Sequence, residues 1–257
     1  MKNKTPDFAY HMTKFFTEYL PIQRNLSPNS IATYRDTFRL LLLFYDTGKH
    51  IKPNLLTLDM LNVQEIEDFM LWLKKERNCG ASTCNQRLGA LKSFFRYLQF
   101  ALPDRALQCQ ENLAIRPMKQ PEPGLKYLTI DGIKLLLEQP DIKTKYGRRD
   151  LAILSLMYDT GARVQEIADI KIVHIRFSTP ATIRITGKGD KTRIVPLLSR
   201  TVDILKQYIK DFKIDAGGND AYLFQNRNVQ QLSRFGISYI LTKYADMARK
   251  VHPELIP

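Results

Sequence analysis

A proline-rich segment near the middle of the chain is the feature that most limits how the sequence can fold. Residues 116–124 show no hydrophobic periodicity and contain three prolines. Proline fixes the torsion φ and lacks an N–H donor, so this segment can continue neither a helix nor a central strand. We therefore predict two domains, residues 1–116 and 126–257, joined by a linker at 117–125. A chain of 257 residues has room for two modest domains.

The first predicted domain is all-α. Apolar residues recur there at steps of three and four, which is typical of amphipathic helices. A first helix ends near Pro21, and a second starts at Pro28 with Ser27 as its N-cap. A third spans about 63–77, and a fourth starts after Ser82. Four helices with short connections indicate a bundle.

The second predicted domain adds a small β-hairpin to further helices. The segment 181–186 alternates apolar and polar residues as a half-buried strand does, and 192–197 returns after a glycine-containing turn. The fold class is therefore mainly α with a small sheet. The predicted helices are a short one at 128–139, a buried one through 151–157 that ends at Gly161, and two at 199–213 and 233–250.

The charge of the chain favours a polyanionic partner. Its formal net charge is +13 and its pI is about 9.6, which suits nucleic acid or an anionic membrane surface. The richest apolar run, 40–45, is too short to span a bilayer, and no apolar signal core follows the basic N-terminus. A peripheral membrane protein would also need an amphipathic basic helix with an exposed apolar face. We expect a cytoplasmic protein that does not bind membranes.

The cysteine and carboxylate patterns predict neither a disulfide framework nor a metal site. Three cysteines, Cys79, Cys84 and Cys109, are an odd number, and their spacing does not fit a zinc site. We expect three free thiols. Because neither a carboxylate cluster nor a nucleotide-binding motif occurs, we expect no metal and no cofactor.

An arginine follows the end of the buried helix. Gly161 can adopt the left-handed conformation that ends a helix and redirects the chain, so Arg163 would be presented from a rigid support. A guanidinium offers a planar fork of donors that matches two phosphate oxygens. The alternative is a simple ion pair between Arg163 and Glu166, three residues further on.

A lysine lies at the predicted hairpin turn. Lys188 stands between Gly187 and Gly189, which allow close approach of the backbone to a ligand. An ammonium on a hairpin can reach a phosphodiester and donate a proton to a leaving oxygen. The alternative is a solvated turn, in which glycine and lysine are both common.

Together the two motifs resemble the tyrosine recombinase (phage integrase) family. That family has a Thr-Gly-x-Arg-x-x-Glu box and then a Gly-Lys-Gly-x-Lys-x-Arg hairpin leading to Val-Pro-Leu, and this sequence carries both in that order. The helix start with Ser30, Thr33 and Tyr34 is similar to the family's core-binding domain. The resemblance implies a SAM-like four-helix core-binding domain followed by a mixed α/β catalytic domain.

The resemblance also implies roles for individual residues. Arg163 would clamp the scissile phosphate, Lys188 would protonate the departing 5′ oxygen, and Glu166 would support the site. The implied activity is site-specific recombination or integration of double-stranded DNA through a 3′-phosphotyrosyl intermediate, without metal, by tetramers on DNA. A monomer in solution is compatible with this. The residues expected to contact DNA are Ser30, Thr33, Arg35, Thr83, Arg87, Lys92, Lys191 and Arg193, although ordinary exposed helical faces would look similar.

The second half of the family's catalytic site is not recognisable in this sequence. In the family a His-x-x-Arg box and a nucleophilic tyrosine follow the hairpin, but His252 is followed three residues later by Leu255 where arginine is required. Tyr222, Tyr239 and Tyr244 are expected to be packing residues. We therefore expect an incomplete catalytic domain that binds DNA without cutting it. A DNA-binding regulator or remnant, and less favourably a metal-dependent nuclease, are the alternatives.

Overall fold

The computed structural model describes residues 7–120, 127–187, 189–214, 218 and 220–256. The chain divides into two compact units, Met1–Pro123 and Gly124–Pro257, and the division falls inside the predicted linker. Residues 121–126 of that linker lie outside the described residues. Within the described part of the chain, we find no helix long and apolar enough to cross a membrane.

The described residues of the first unit form helices and the loops that connect them. Its α-helices are α1 (Phe8–Lys14), α2 (Pro28–Leu43), α3 (Val63–Lys75), α4 (Ala81–Ala101) and α5 (Ala106–Ala114). The first two continue as π-helical segments, Phe15–Gln23 and Phe44–Gly48, and short 3₁₀ turns lie at Pro53–Leu55, Leu58–Met60 and Pro103–Arg105. Ser27 caps α2 by accepting a hydrogen bond from the Ser30 N–H, as predicted.

Two details of the first unit differ from the prediction. The first helix does not end at Pro21 but continues to Gln23, because the wider π-helical turn, marked by the bond from Arg24 N to Tyr19 O, accommodates the proline. The unit also contains a fifth helix, α5, which packs on α4. Its buried residues, Cys109 and the polar Asn112, form no regular apolar stripe that the sequence pattern could reveal.

The core of the first unit is a cluster of aromatic rings. Phe15 is fully buried and its ring lies 5.2 Å from that of Phe94 and 5.8 Å from that of Phe38. Phe94 and Phe38 meet edge to face at 5.2 Å, a geometry that aromatic pairs prefer. These rings join α2, α4 and the first helical segment, so the helical stripes predicted from the sequence form one core.

In the part that the structure describes, the second unit combines five α-helices with one small sheet. The helices are α6 (Ile130–Glu138), α7 (Lys145–Thr160), α8 (Val164–Ala168), α9 (Ser199–Phe212) and α10 (Arg234–Val251), and a 3₁₀ turn lies at Ile172–His174. The antiparallel sheet has the order β1 (Ile175–Arg176), β2 (Thr182–Thr186) and β3 (Thr192–Pro196). The predicted mainly-α fold with a small sheet is confirmed; β1, with two residues, was too short to predict.

The register of the hairpin positions the site. Ile185 of β2 pairs with Arg193 of β3, and Ile183 pairs with Val195. Ile183 and Ile185 are buried in the core of the unit, together with Ile153 of α7. Since side chains alternate between the faces of a sheet, this buried pair holds β2 against the helices and sets the height at which the hairpin turn emerges.

Candidate active site

The turn after α7 presents Arg163 as predicted. Gly161 has φ +57° and is the left-handed C-cap of α7, and its N–H donates to Met157 O at 3.0 Å. The Thr160 hydroxyl accepts from the Ala162 N–H at 3.2 Å. The chain is thereby redirected, and Arg163 becomes the extended residue immediately before α8.

Arg163 is exposed and tethered at one point. Its side chain is 76% exposed, and Nη1 donates to Glu166 Oε1 at 3.0 Å. The ion pair considered as the alternative to phosphate binding is therefore present. Among the described residues we find no hydrogen-bond partner for its other guanidinium N–H groups, so the pair still leaves a fork of donors facing solvent.

Glu166 is the buried centre of this cluster. Its side chain is only 5% exposed, and Oε2 accepts from Arg163 N at 3.0 Å and from Arg193 Nη2 at 2.7 Å. The hydrogen bond from Arg193 lowers the pKa of the carboxyl group to about 2, against the opposing effect of burial and with further help from Arg163. Glu166 is thus a carboxylate at all ordinary pH values.

The hairpin turn approaches the same carboxylate. A Cβ added to Gly187 would lie 2.6 Å from Glu166 Oε1, so only glycine fits there without displacement. The Gly187 N–H donates to Lys191 O at 2.9 Å, and Gly189 and Asp190 have positive φ. The two motifs recognised in the sequence therefore meet at Glu166. Lys188 itself lies outside the described residues.

The role of Arg193 as the link between the motifs was not predicted. Arg193 was expected to contact DNA, but in the structure its guanidinium pairs with Glu166. Lys191 is exposed at the end of the turn. The spacing of the two motifs in the sequence does not show that Arg193, the second residue of β3, points towards α8. That direction depends on the register of β3 with β2.

On α2, the three residues predicted to contact DNA differ in availability. The Ser30 hydroxyl lies 3.0 Å from that of Ser27, and the Thr33 hydroxyl donates to Asn29 O at 3.0 Å. Arg35 is exposed and forms no ion pair with any described residue. Arg35 is the cation among the three, and its exposed side chain can reach a phosphate.

The prediction that α4 exposes its basic side chains is partly wrong. Lys92 is half-buried, and its Nζ donates to Ile115 O at 2.6 Å, just after α5. Burial lowers the pKa of this ammonium group. The Arg87 guanidinium is 16% exposed and lies 3.7 Å from Asp36 Oδ2. The partial burial of Lys92 follows from the unpredicted helix α5, because that helix brings Ile115 against the side of α4 that was predicted to be exposed. Thr83 is partly exposed.

The tyrosines do not behave alike. Tyr244 is buried and donates to Asp150 Oδ2 at 3.0 Å, which confirms its packing role, and burial raises its pKa. Tyr222 is half-buried, with Lys171 Nζ 5.7 Å from its ring centre. Tyr239 of α10 is 69% exposed, so its assignment as a packing residue was wrong. His252 Nδ1 lies 2.9 Å from Glu254 Oε1.

The cysteines are free thiols, as predicted, and Cys84 and Cys109 are buried. Among the residues that the structure describes, no group of three or more His, Cys, Asp or Glu side chains is arranged so that it could hold a metal ion.

The sequence of each unit matches a known protein family. The sequence profile of the phage integrase family matches residues 126–254, and that of the phage integrase N-terminal SAM-like domain matches residues 14–100. Integrase/recombinase y4rC of Sinorhizobium fredii is 34% identical over 252 residues, which cover 98% of this chain and 75% of that protein. Tyrosine recombinase XerD of Listeria innocua is 31% identical over 232 residues, covering 88% and 74%.

The fold agrees with these matches. The Tn1549 transposon integrase, solved in complex with a circular-intermediate DNA, has a TM-score of 0.71 at 14% identity, with 99% of this chain and 82% of that chain covered. The Arg163 and hairpin motifs lie inside the matched catalytic region. This chain belongs to the phage integrase family, the tyrosine recombinases.

Proposed function

We propose that this chain binds double-stranded DNA in site-specific recombination and holds one backbone phosphate at Arg163. One observation carries the proposal: Arg163 is exposed, yet it is anchored to Glu166, a buried carboxylate that also receives Arg193. The relatives named as recombinases and integrases support this role.

The charges of the cluster favour an anion. Two guanidinium groups share one carboxylate, so one positive charge is left over at the exposed end of Arg163. A cation that is already oriented loses little side-chain freedom when a phosphate binds, and its parallel N–H groups match two phosphate oxygens. A flexible surface arginine lacks this preorganisation.

Lys188 is proposed as the second cation at this phosphate, where in strand cleavage it would protonate the departing 5′ oxygen. Support comes from its neighbours in the sequence: Gly187 lies against Glu166, and Gly187 N–H and Lys191 O close the turn. A lysine suits this step because its ammonium can give up a proton, whereas an arginine remains charged in proteins.

Binding without strand cleavage is also part of the proposal. The Tyr244 hydroxyl is already donated to Asp150, near the N-terminal end of α7, whereas Arg163 follows the C-terminal end of that helix. Tyr239 lines a pocket at the same N-terminal end. Neither is therefore offered as the nucleophile, nor is Tyr222. The proposed assembly on DNA is a tetramer, and the proposed site of action is the cytoplasm.

The test begins with duplexes selected for binding from a randomised pool. If the chain neutralises roughly 6–10 phosphates, its affinity should fall about 10³–10⁵-fold between about 50 and 200 mM salt. A nicked suicide substrate built from a selected duplex then tests cleavage. Failure to bind any duplex would refute the DNA-binding role, and a covalent protein–DNA adduct would refute binding without cleavage.

A further inference from the structure

We propose that a cation-lined pocket at the N-terminal end of α7 binds a second stretch of DNA backbone, separate from the phosphate at Arg163. The inference rests on the proposed DNA-binding function. The pocket lies within the second unit, has a volume of about 350 Å³, and is lined by residues of α7, α10 and the loop before α10. The polar residues that line it are Tyr146, Arg149, Asp150, Arg227, Tyr239 and Lys243.

The floor of the pocket is a rigid, satisfied ion pair. Arg149 is buried, and its Nε and Nη2 donate to Asp150 Oδ1 at 3.0 and 2.8 Å. Its Nη1 donates to Gln225 O at 3.3 Å, while the second oxygen of Asp150 accepts from Tyr244. Asp150 is therefore fully engaged, and it does not require the cations at the rim.

The rim of the pocket carries two cations without a carboxylate partner. Arg227 and Lys243 are both exposed, and neither forms an ion pair with a described residue. Among the described lining residues, three cationic side chains face one carboxylate, which leaves two net positive charges. The net positive charge of the pocket attracts an anion, so the complementary ligand is anionic.

An aromatic ring supports these cations. The Tyr146 ring centre lies 5.0 Å from the guanidinium carbon of Arg149 and 5.4 Å from that of Arg227. Cation–π contacts of this kind restrain the exposed guanidinium near the pocket. Lys243 Nζ lies 3.3 Å from the Tyr244 hydroxyl, which restrains the ammonium group. The exposed Tyr239 hydroxyl adds a neutral donor of the type that commonly contacts phosphate.

The pocket cannot share a phosphate with Arg163. The two lie at opposite ends of α7, and the rise of an α-helix puts them roughly 20 Å apart. Along duplex DNA this distance corresponds to about six base pairs at 3.4 Å per pair. A long polyanion can reach both positions, whereas a single small anion cannot. Contacts of this type set the register of a protein on DNA without reading the sequence.

The test compares two double variants of the whole chain that remove the same charge. Arg227→Ala/Lys243→Ala changes the pocket, and Lys206→Ala/Lys210→Ala changes two exposed lysines of α9 as a control. We expect the plot of log affinity against log salt to become shallower by about 2 for the pocket variant, because each phosphate contact contributes a slope of about 1. The slope of the control variant should change less. The variant Arg227→Lys/Lys243→Arg, which keeps both charges, should have the wild-type slope.

Shortened duplexes then locate the contact. Selected duplexes are shortened by about six base pairs at one end or at the other. Loss of the end that reaches the pocket should give the wild type the salt slope of the pocket variant. If the wild type binds DNA and the pocket variant keeps the wild-type slope, the pocket inference is wrong and the proposed function stands. If the variant loses binding of inorganic phosphate but keeps its DNA slope, the pocket is a small-anion site and the inference is again wrong. If the wild type binds no duplex, the proposed function itself fails.

Discussion

Glu166 Oε2 accepts a hydrogen bond from Arg193 Nη2 at 2.7 Å, and this contact ties β3 to the start of α8. The same carboxylate holds both the backbone and the side chain of Arg163. A single buried residue therefore sets the distance between the two motifs that resemble a recombinase site.

Glu166→Gln should lower the free energy of unfolding by about 2 kcal/mol, because it removes the carboxylate from a partly buried ion-pair network and leaves two guanidinium groups without their partner. Urea unfolding at neutral pH measures this. Glu138→Gln is the matched control, since that side chain is exposed on α6, and it should change stability by less than about 0.5 kcal/mol. Equal stability of the two variants would contradict the role of Glu166.

The wild type should lose stability in acid in a defined range of pH. The pKa of Glu166 is lowered from 4.5 to about 2, so its contribution is complete above about pH 4.5 and disappears as pH falls towards 2. The difference in unfolding free energy between wild type and Glu166→Gln should shrink over this range. A difference that stayed constant from pH 5 to about pH 2 would argue against this titration.

Gly187→Ala should destabilise the hairpin, because its Cβ would lie 2.6 Å from Glu166 Oε1. We expect a loss of about 1–3 kcal/mol, as for other overpacked sites. Gly89→Ala serves as the control: Gly89 is exposed within α4 with no atom near its Cβ position, so alanine should stabilise by about 0.5–1 kcal/mol. Opposite signs for the two glycines in thermal unfolding are the diagnostic result.

Arg163→Ala should weaken phosphate contact with little effect on the fold. The side chain is largely exposed, so we expect the unfolding free energy to change by less than about 1 kcal/mol. The salt slope of DNA binding should fall by about 1, and any cleavage activity should fall roughly 100-fold or more. An unchanged slope and unchanged activity would remove Arg163 from the phosphate site.

Lys92→Met and Arg35→Ala should separate structural from DNA-binding cations. Lys92 donates to Ile115 O, so its replacement should lower the unfolding free energy by about 1 kcal/mol and leave the salt slope unchanged. Arg35 is exposed, so its replacement should lower the slope by about 1 and leave stability unchanged. The reverse pattern would restore Lys92 as a DNA contact.

Local patterns in the sequence determined much of the fold. Apolar residues at helical spacing predicted the major helices, Ser27 marked the start of α2, and Gly161 marked the end of α7, because these signals depend on neighbours within one or two turns. The order of the two motifs was sufficient to indicate the family. The helix α5 was missed because its buried residues, Cys109 and the polar Asn112, form no regular apolar stripe, and the strand β1 was missed because it has only two residues.

Contacts between distant segments were decided by the tertiary structure alone. The pairing of Arg193 with Glu166 depends on the register of β3 with β2, and the burial of Lys92 depends on α5. The pocket formed by Arg149, Arg227 and Lys243 likewise joins three separate elements. A sequence shows which side chains can donate, accept or carry charge. Which of them meet is set by how the helices and strands pack, and that packing depends on the whole core.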